Sequence, residues 1–367
     1  MTIPPVLNNL LTAHGPSGYE ATPAAVWRDA AAAFSASVEA DVMGSSTARV
    51  PATGGGPSLA IVGHIDEIGL IVTHIEESGF LRFTGVGGWD AQVLVGQRVA
   101  VATSDGVVPG VVGKKPIHLL DADDRKKVPE MKAMHIDIGA VDGEAAAKLV
   151  RVGDVAVIAG DPVELQSGRV ASRSMDNRLG CYVAYEAARL VAEAGGAAGE
   201  VIAVAAVQEE TGFGGSTTIA HSLEPGLAIA VDVTHATDAP GIDENQLGKH
   251  HFGSGPVIER GTSLHPLISE LLIEAAEAEK IPYTLAASGR HTGTDADAIY
   301  RSRGGVPTGL VSVPLRYMHS PVEVVQLDDV ENTAKLLAAF ALRLPADVSF
   351  ERYAHRCCCS STLTERC

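Results

Sequence analysis

Val201-Ile-Ala-Val-Ala-Ala-Val-Gln-Glu-Glu-Thr-Gly-Phe-Gly-Gly-Ser216 is the stretch that sets the fold. From Val201 to Val207 the side chains are apolar without a break. That length and branched content predict a strand buried on both faces of a parallel sheet. The run ends on Gln208, on two adjacent carboxylates, Glu209 and Glu210, and on a glycine-rich turn. Open α/β sheets hold their ligands at the carboxyl ends of the strands. A lone Glu-Glu pair reads as a solvated loop, because charged side chains stay mostly in water. Other strands of this chain end in the same way, and that reverses the reading.

Ser58-Leu-Ala-Ile-Val-Gly63 reads as a second buried strand, ending on His64-Ile-Asp66. Leu227-Ala-Ile-Ala-Val231 is a third, ending on Asp232. Val306 to Val313 is a fourth and leads through Pro314-Leu-Arg-Tyr-Met318 to His319. Between and after them the apolar period becomes helical. Asp176 to Ala194, Pro266 to Lys280 and Asp329 to Leu344 are predicted helices. Ala24 to Phe34 is another, with Thr22 as N-cap and Pro23 in its first position. The alternation gives an α/β fold of three layers, a central mixed sheet with helices on both faces. From about residue 71 to 165 the texture changes to short valine runs separated by turns. Arg98-Val-Ala-Val-Ala-Thr103 followed by Ser104-Asp-Gly106 is a hairpin there. This reads as a small β-barrel-like domain inserted into the larger one. The organisation is therefore 1–70 and 166–350 for the larger domain, 71–165 for the insert, and 351–367 for a tail read as disordered.

The 367 residues carry a net charge of −17 and only 4% aromatics. Such an acidic chain is a poor partner for nucleic acid or an anionic membrane. No apolar run approaches the roughly 18 residues of a membrane span, and the N-terminus lacks a secretory pattern. Cys181 is the one cysteine in the body of the chain, so no disulfide framework is indicated. A cytoplasmic location is the expectation. In the tail, Cys357-Cys-Cys359 does not match zinc-site spacing, in which paired cysteines stand about 2–4 residues apart.

The polar residues at the expected strand ends form a set: His64, Asp66, Glu209, Glu210, Asp232 and His319, with Asp176 at a helix start in Ser174-Met-Asp-Asn-Arg178. Crowded on one sheet edge, these carboxylates repel one another unless cations are present. A divalent pair about 3.5–4 Å apart needs a bridging carboxylate and mixed imidazole and carboxylate terminal ligands. Asp176 fits the bridge, and His64, Asp232, Glu210 and His319 fit the terminal positions. Glu209 adjoins a ligand and is free to act as general base and acid. Asp66, two residues past His64, suits the role of orienting that imidazole. Thr294, Asp295 and Arg316 flank the same edge as candidate substrate-binding residues, against a plain reading as a tight turn and an ion pair. His118, in the insert, reads as structural.

Six ordered motifs then resemble one family. They are Gly63-His-Ile-Asp-Glu-Ile-Gly69, Ser174-Met-Asp-Asn-Arg178, Gln208-Glu-Glu-Thr-Gly-Phe-Gly-Gly215, Ala230-Val-Asp-Val-Thr234, His291-Thr-Gly-Thr-Asp-Ala-Asp-Ala298 and Arg316-Tyr-Met-His-Ser-Pro-Val322. They look like the signatures of the M42 metallo-aminopeptidases of the tetrahedral type. The resemblance covers about residues 3–345. It implies the same ligand roles, Glu209 as catalytic base and Asp66 as the aspartate that orients His64. It further implies two divalent metals per subunit, zinc or cobalt with manganese as an alternative, and peptide substrates. A β-rich dimerisation domain and dimers assembled into a dodecamer also follow from it. The expected chemistry is release of N-terminal residues from peptides, with a hydroxide bridging the metals as nucleophile. A related dinuclear amidohydrolase or deacylase, or a glycanase, is the alternative, and a metal-free binding scaffold is the non-enzymatic one.

Overall fold

The computed structural model describes residues 2–352. The expectation of a disordered tail, and Cys357, Cys358, Cys359 and Cys367 with it, falls almost wholly outside these residues.

Four strands form the parallel centre of the larger sheet. In spatial order they are Val201–Ala206, Leu59–His64, Leu227–His235 and Thr308–Arg316. Ser46–Val50 and Ser37–Ala40 extend the sheet antiparallel on one flank. Glu323–Gln326, Arg169–Ser172 and Val163–Glu164 extend it on the other. Val257–Gly261 also pairs antiparallel with Thr308–Arg316, and Thr284–Ser288 pairs parallel with it. The central strands read as continuous apolar runs because both faces are covered. Successive side chains alternate between faces. Leu59, Ile61, Val201, Ala203 and Ala205 therefore join the core beneath the helices Met175–Glu193 and Leu327–Arg343. Ala60, Val62, Ile202, Val204 and Ala206 join a second core with Ile219 and Ala220 of Gly214–Leu223 and Ile299 of Ala296–Ile299. The expected three layers and mixed sheet are present.

The second unit is a closed barrel of Gly69–Ile75, Leu81–Val86, Met134–Asp137, Gly106–Lys114, Arg98–Thr103 and Val155–Ile158, in that order. Every pair in it is antiparallel. Closure leaves no unpaired strand edge, which removes the aggregation hazard of so valine-rich a segment. Leu70, Val72, Phe83, Val99, Val101, Val112 and Ile136 fill its core. The expected hairpin is there, with Thr103 opposite Gly106.

Three local expectations differ from the structure. The helix expected over Ala24 to Phe34 with Thr22 as N-cap runs from Ala21 to Ala31 with Glu20 as N-cap. Pro23 lies in its first turn, where a missing N–H leaves no bond unmade. Asp232 does not end its strand, because Leu227–His235 stays paired with Thr308–Arg316 out to His235 opposite Leu315. Asp176 is not helical: its ψ is 107°, and regular helix follows Asn177. Asn177 supplies the cap, its Oδ1 accepting from Gly180 N at 2.9 Å while its Nδ2 donates to Val231 O at 2.7 Å.

That capped helix presses directly on the central strand just before His64. A Cβ on Gly63 would lie 2.3 Å from Gly180 C and 2.5 Å from Cys181 N. Backbone cannot yield as a flexible side chain does. Gly63→Ala should therefore cost about 1–3 kcal/mol or more as overpacking. Urea denaturation measures this, and a midpoint equal to wild type would contradict the close contact.

Candidate metal centre

The parallel strands deliver His64, Glu209, Asp232 and His319 to one edge of the sheet, and the cap of Met175–Glu193 delivers Asp176. His64, Asp176, Glu209, Glu210, Asp232 and His319 all line one cavity of about 360 Å³. Val233, Thr234, His235, Thr292, Gly293, Thr294 and Met318 complete its wall. Asp176 is central. Its Oδ1 lies 3.2 Å from His64 Nε2 and its Oδ2 lies 3.3 Å from His319 Nε2. Glu210 Oε1 is 3.3 Å from the same His319 nitrogen, and Glu209 Oε2 is 3.7 Å from His64 Nε2. One donor atom from each of His64, Asp176 and Glu210 falls within 4.8 Å of the others, as do those of His64, Glu209 and Asp232.

Backbone contacts fix these side chains. Asp66 is fully buried, its two oxygens accepting from Glu209 N and Glu210 N at 3.1 Å each. Asp66 thus joins the end of one strand to the end of its neighbour. Its Oδ1 also lies 3.3 Å from His64 Nδ1, without the alignment of a hydrogen bond. His319 Nδ1 lies 2.8 Å from Gly88 O. A carbonyl only accepts, so Nδ1 carries the proton and Nε2 faces the carboxylates. Gly88 belongs to the loop after Leu81–Val86, so the barrel unit supplies a backbone contact to this edge. Trp89 Nε1 pins the loop by donating to Gly69 O at 2.8 Å. Gly87 has φ +75°, and a Cβ there would meet Ile68 at 2.6 Å and Glu210 Oε2 at 3.1 Å.

The electrostatics suit cations. Burial pushes Glu209 up to about 10, with Asp232 and Asp295 adding to the effect. Burial and the Asp176 charge push Asp232 well above its usual range. Burial opposes ionisation of Asp176 too, but the His319 and His64 imidazoles hold its carboxyl below the usual range. Hydrogen bonds to Asp176 and Glu210 raise His319 to about 11. Protons here occupy positions that divalent ions contest, since metal binding displaces protons from the same donors. The mixed imidazole and carboxylate donors, the outward Nε2 of His319 and the two-sided Asp176 all fit a pair of divalent cations.

Among the substrate candidates, Thr294 lines the cavity, while Asp295 is buried and is not part of its wall. Arg316 also lies off that wall, paired with Asp238 at 2.6 Å and stacked over Phe252 at 4.2 Å. His118 is exposed in a short helical turn of the barrel unit. Of the buried acids with no role assigned from sequence, two hold segments around this edge. Glu67 binds Arg173 and Arg178, the latter at 2.7 Å. Glu323 accepts from Asp176 N at 3.1 Å and from His319 N at 2.9 Å. A signal existed for each. The pair Asp66-Glu67 is set between Ile65 and Ile68, and Glu323 opens the apolar run Val324-Val325. A charge set into such runs needs a buried partner.

Comparison with known proteins agrees with this arrangement. The family model for M42 glutamyl aminopeptidase matches residues 44–336. A lysyl aminopeptidase of Pyrococcus furiosus is 35% identical over 306 residues, covering 82% of this chain and 86% of that protein. A TET aminopeptidase from the marine sediment archaeon Thaumarchaeota archaeon SCGC AB-539-E09 superposes with a TM-score of 0.87 at 35% identity, over 92% of this chain and 95% of that one. The TET1 peptidase of Pyrococcus horikoshii, which can assemble into a tetrahedron or a large octahedral shell, superposes at 0.80 with 32% identity, over 92% of this chain and 99% of that one. With its family motifs gathered on one sheet edge around Asp176, the chain belongs to the M42 glutamyl aminopeptidase family and is an exopeptidase of the hydrolase class.

Proposed function

We propose that this chain is a dinuclear metal-dependent aminopeptidase that removes N-terminal residues from peptides. The observation that carries the reading is Asp176, whose two oxygens face two different imidazoles at 3.2 and 3.3 Å. Asp176 would then be shared between a cation that His64 and Asp232 would hold and a second that Glu210 and His319 would hold. Two divalent cations bound there supply Lewis acidity toward a peptide carbonyl and lower the pKa of water. Glu209 takes the proton from the attacking water and returns it to the departing amine nitrogen. Asp66 holds the backbone of Glu209 in place for that transfer. The carboxylate-rich cavity favours a free α-ammonium group, which restricts action to chain ends. Thr294 is the wall residue placed to contact substrate, whereas Arg316 acts through its pairing with Asp238.

Zinc is the metal of this reading, with cobalt or manganese able to occupy the same mixed nitrogen and oxygen donors. The barrel, whose first strand begins at Gly69, serves as the dimerisation unit of a larger homo-oligomer in which dimers assemble into a dodecamer. No helix among the described residues is long and apolar enough to cross a membrane. Cys181 is buried as a free thiol, which suits a reducing cytoplasm.

The test pairs metal analysis of the purified protein with release of free amino acid from a peptide panel, with and without chelator. Two metals per chain and chelator-sensitive release are expected. A metal-loaded protein that cleaves N-acyl amino acids but no peptide would instead support the deacylase alternative. A protein that takes up no zinc, cobalt or manganese would end the metal reading.

A further inference from the structure

We propose that Glu323 is a positioning residue that locks the two ligand-bearing loops of the second metal position together. Its role is to set metal affinity there without holding the metal itself. The inference rests on the dinuclear reading above.

Glu323 is 2% exposed and opens the strand Glu323–Gln326. Glu323 itself pairs with Ser172, the residue that leads into Asp176. The same strand pairs through Val324 and Val325 with Arg316 and Leu315, which lead into His319. Glu323 therefore sits at the seam between the segments that carry the two ligands. Its Oε2 accepts from Asp176 N at 3.1 Å and its Oε1 accepts from His319 N at 2.9 Å.

Both segments need holding. Ser174 (φ 57°), Tyr317 (φ 62°) and His319 (φ 58°) are non-glycine residues in the left-handed region. Such conformations persist only where surrounding contacts over-determine them. One carboxylate accepting from both backbones does this, and it ties Asp176 to His319 across two strands. Glutamine cannot replace it, because its amide accepts at one end only and presents N–H donors to a backbone N–H at the other. Residues that orient metal ligands typically contribute about 10- to 100-fold to metal affinity.

The test uses Glu323→Gln and Glu323→Asp, with zinc retention against a competing chelator as the readout and thermal melting of the metal-free forms alongside. For Glu323→Gln, the expected result is zinc binding at one position weakened by about 10- to 100-fold, with the metal-free form melting cooperatively at a temperature somewhat below wild type. Aspartate keeps both acceptor oxygens on a shorter arm and should fall between the two. Activity of both variants should recover at high zinc, which a general loss of folding would not allow. Wild-type chelator resistance in Glu323→Gln would overturn the proposal. If that variant does not fold, wild-type resistance in Glu323→Asp overturns it instead, and intermediate resistance supports it. Since the readout is metal and not peptide cleavage, a protein that binds two zinc ions but cleaves no peptide removes the aminopeptidase reading and leaves this one standing.

Discussion

Glu209→Gln is expected to lower peptide hydrolysis by about 10²- to 10⁴-fold while leaving two metals bound. The amide preserves the shape of the side chain, and the backbone bond from Glu209 N to Asp66 is untouched. What disappears is the capacity to accept and return a proton. Glu209 is nearly buried, at 9% exposure, so bulk water is poorly placed to substitute for it. Geometry alone leaves a competing role, because Glu209, His64 and Asp232 form one of the two groups that could hold an ion. Metal analysis of the variant separates these roles. Loss of one metal together with activity would make Glu209 a ligand, and near-normal turnover would remove it from the chemistry altogether.

Glu67→Ala should produce the largest loss of stability, about 3–5 kcal/mol, because it strands two buried guanidinium groups. Arg173 and Arg178 are 6% and 0% exposed, and Glu67 is the carboxylate that pairs with both. The two arginines also donate to carbonyls at the end of the helix Pro5–Thr12, Arg178 to Leu10 O at 2.6 Å and Arg173 to Ala13 O at 3.0 Å. Glu67 in turn accepts from Gly15 N at 3.2 Å. One carboxylate thus ties the N-terminal segment, the end of a central strand and the residues beside Asp176. Burial opposes its ionisation, but Arg173 and Arg178 hold its pKa below the usual range. A depressed carboxylate stabilises the fold above its unfolded pKa of about 4.3 and loses that contribution as pH falls through the folded value. The gap between wild type and variant should therefore be full near neutrality and close in acid. Urea titrations of the metal-free proteins at neutral and acidic pH measure it, and equal midpoints near neutrality would refute the assignment.

Much of the site was legible in the sequence because its candidate residues follow apolar runs. A strand buried on both faces has no reason to end on His64-Ile-Asp66 or Glu209-Glu210 unless the carboxyl edge carries chemistry. His319 was legible for the same reason. Glu323 was not, because its meaning depends on facing Asp176 N across a strand pair that joins residues far apart in sequence. Gly88 was less legible still. A backbone carbonyl leaves no trace in residue identity, and its contact with His319 arises where the barrel unit meets the sheet edge. Arg316 is the reverse case: a cation near the edge suggests substrate binding, yet its partner Asp238 lies 78 residues away in the chain.

By itself the sequence determined the three-layer α/β class, the presence of a β-rich insert and the residue types of a sheet edge that could hold metal ions. Each is a local property, carried by hydrophobic period, turn chemistry and the polar residue that follows a buried run. Tertiary structure decided what depends on pairing between distant segments. It interrupted the helix at Asp176 because Glu323 and Asn177 capture the surrounding backbone and side-chain hydrogen bonds. It carried Asp232 into the body of a strand because the neighbouring strand runs on beside it. It aimed the two oxygens of Asp176 at two imidazoles, an orientation set by the contact of Gly63 with Gly180 and by the loops around it. Sequence names the donors; only packing fixes where their lone pairs point.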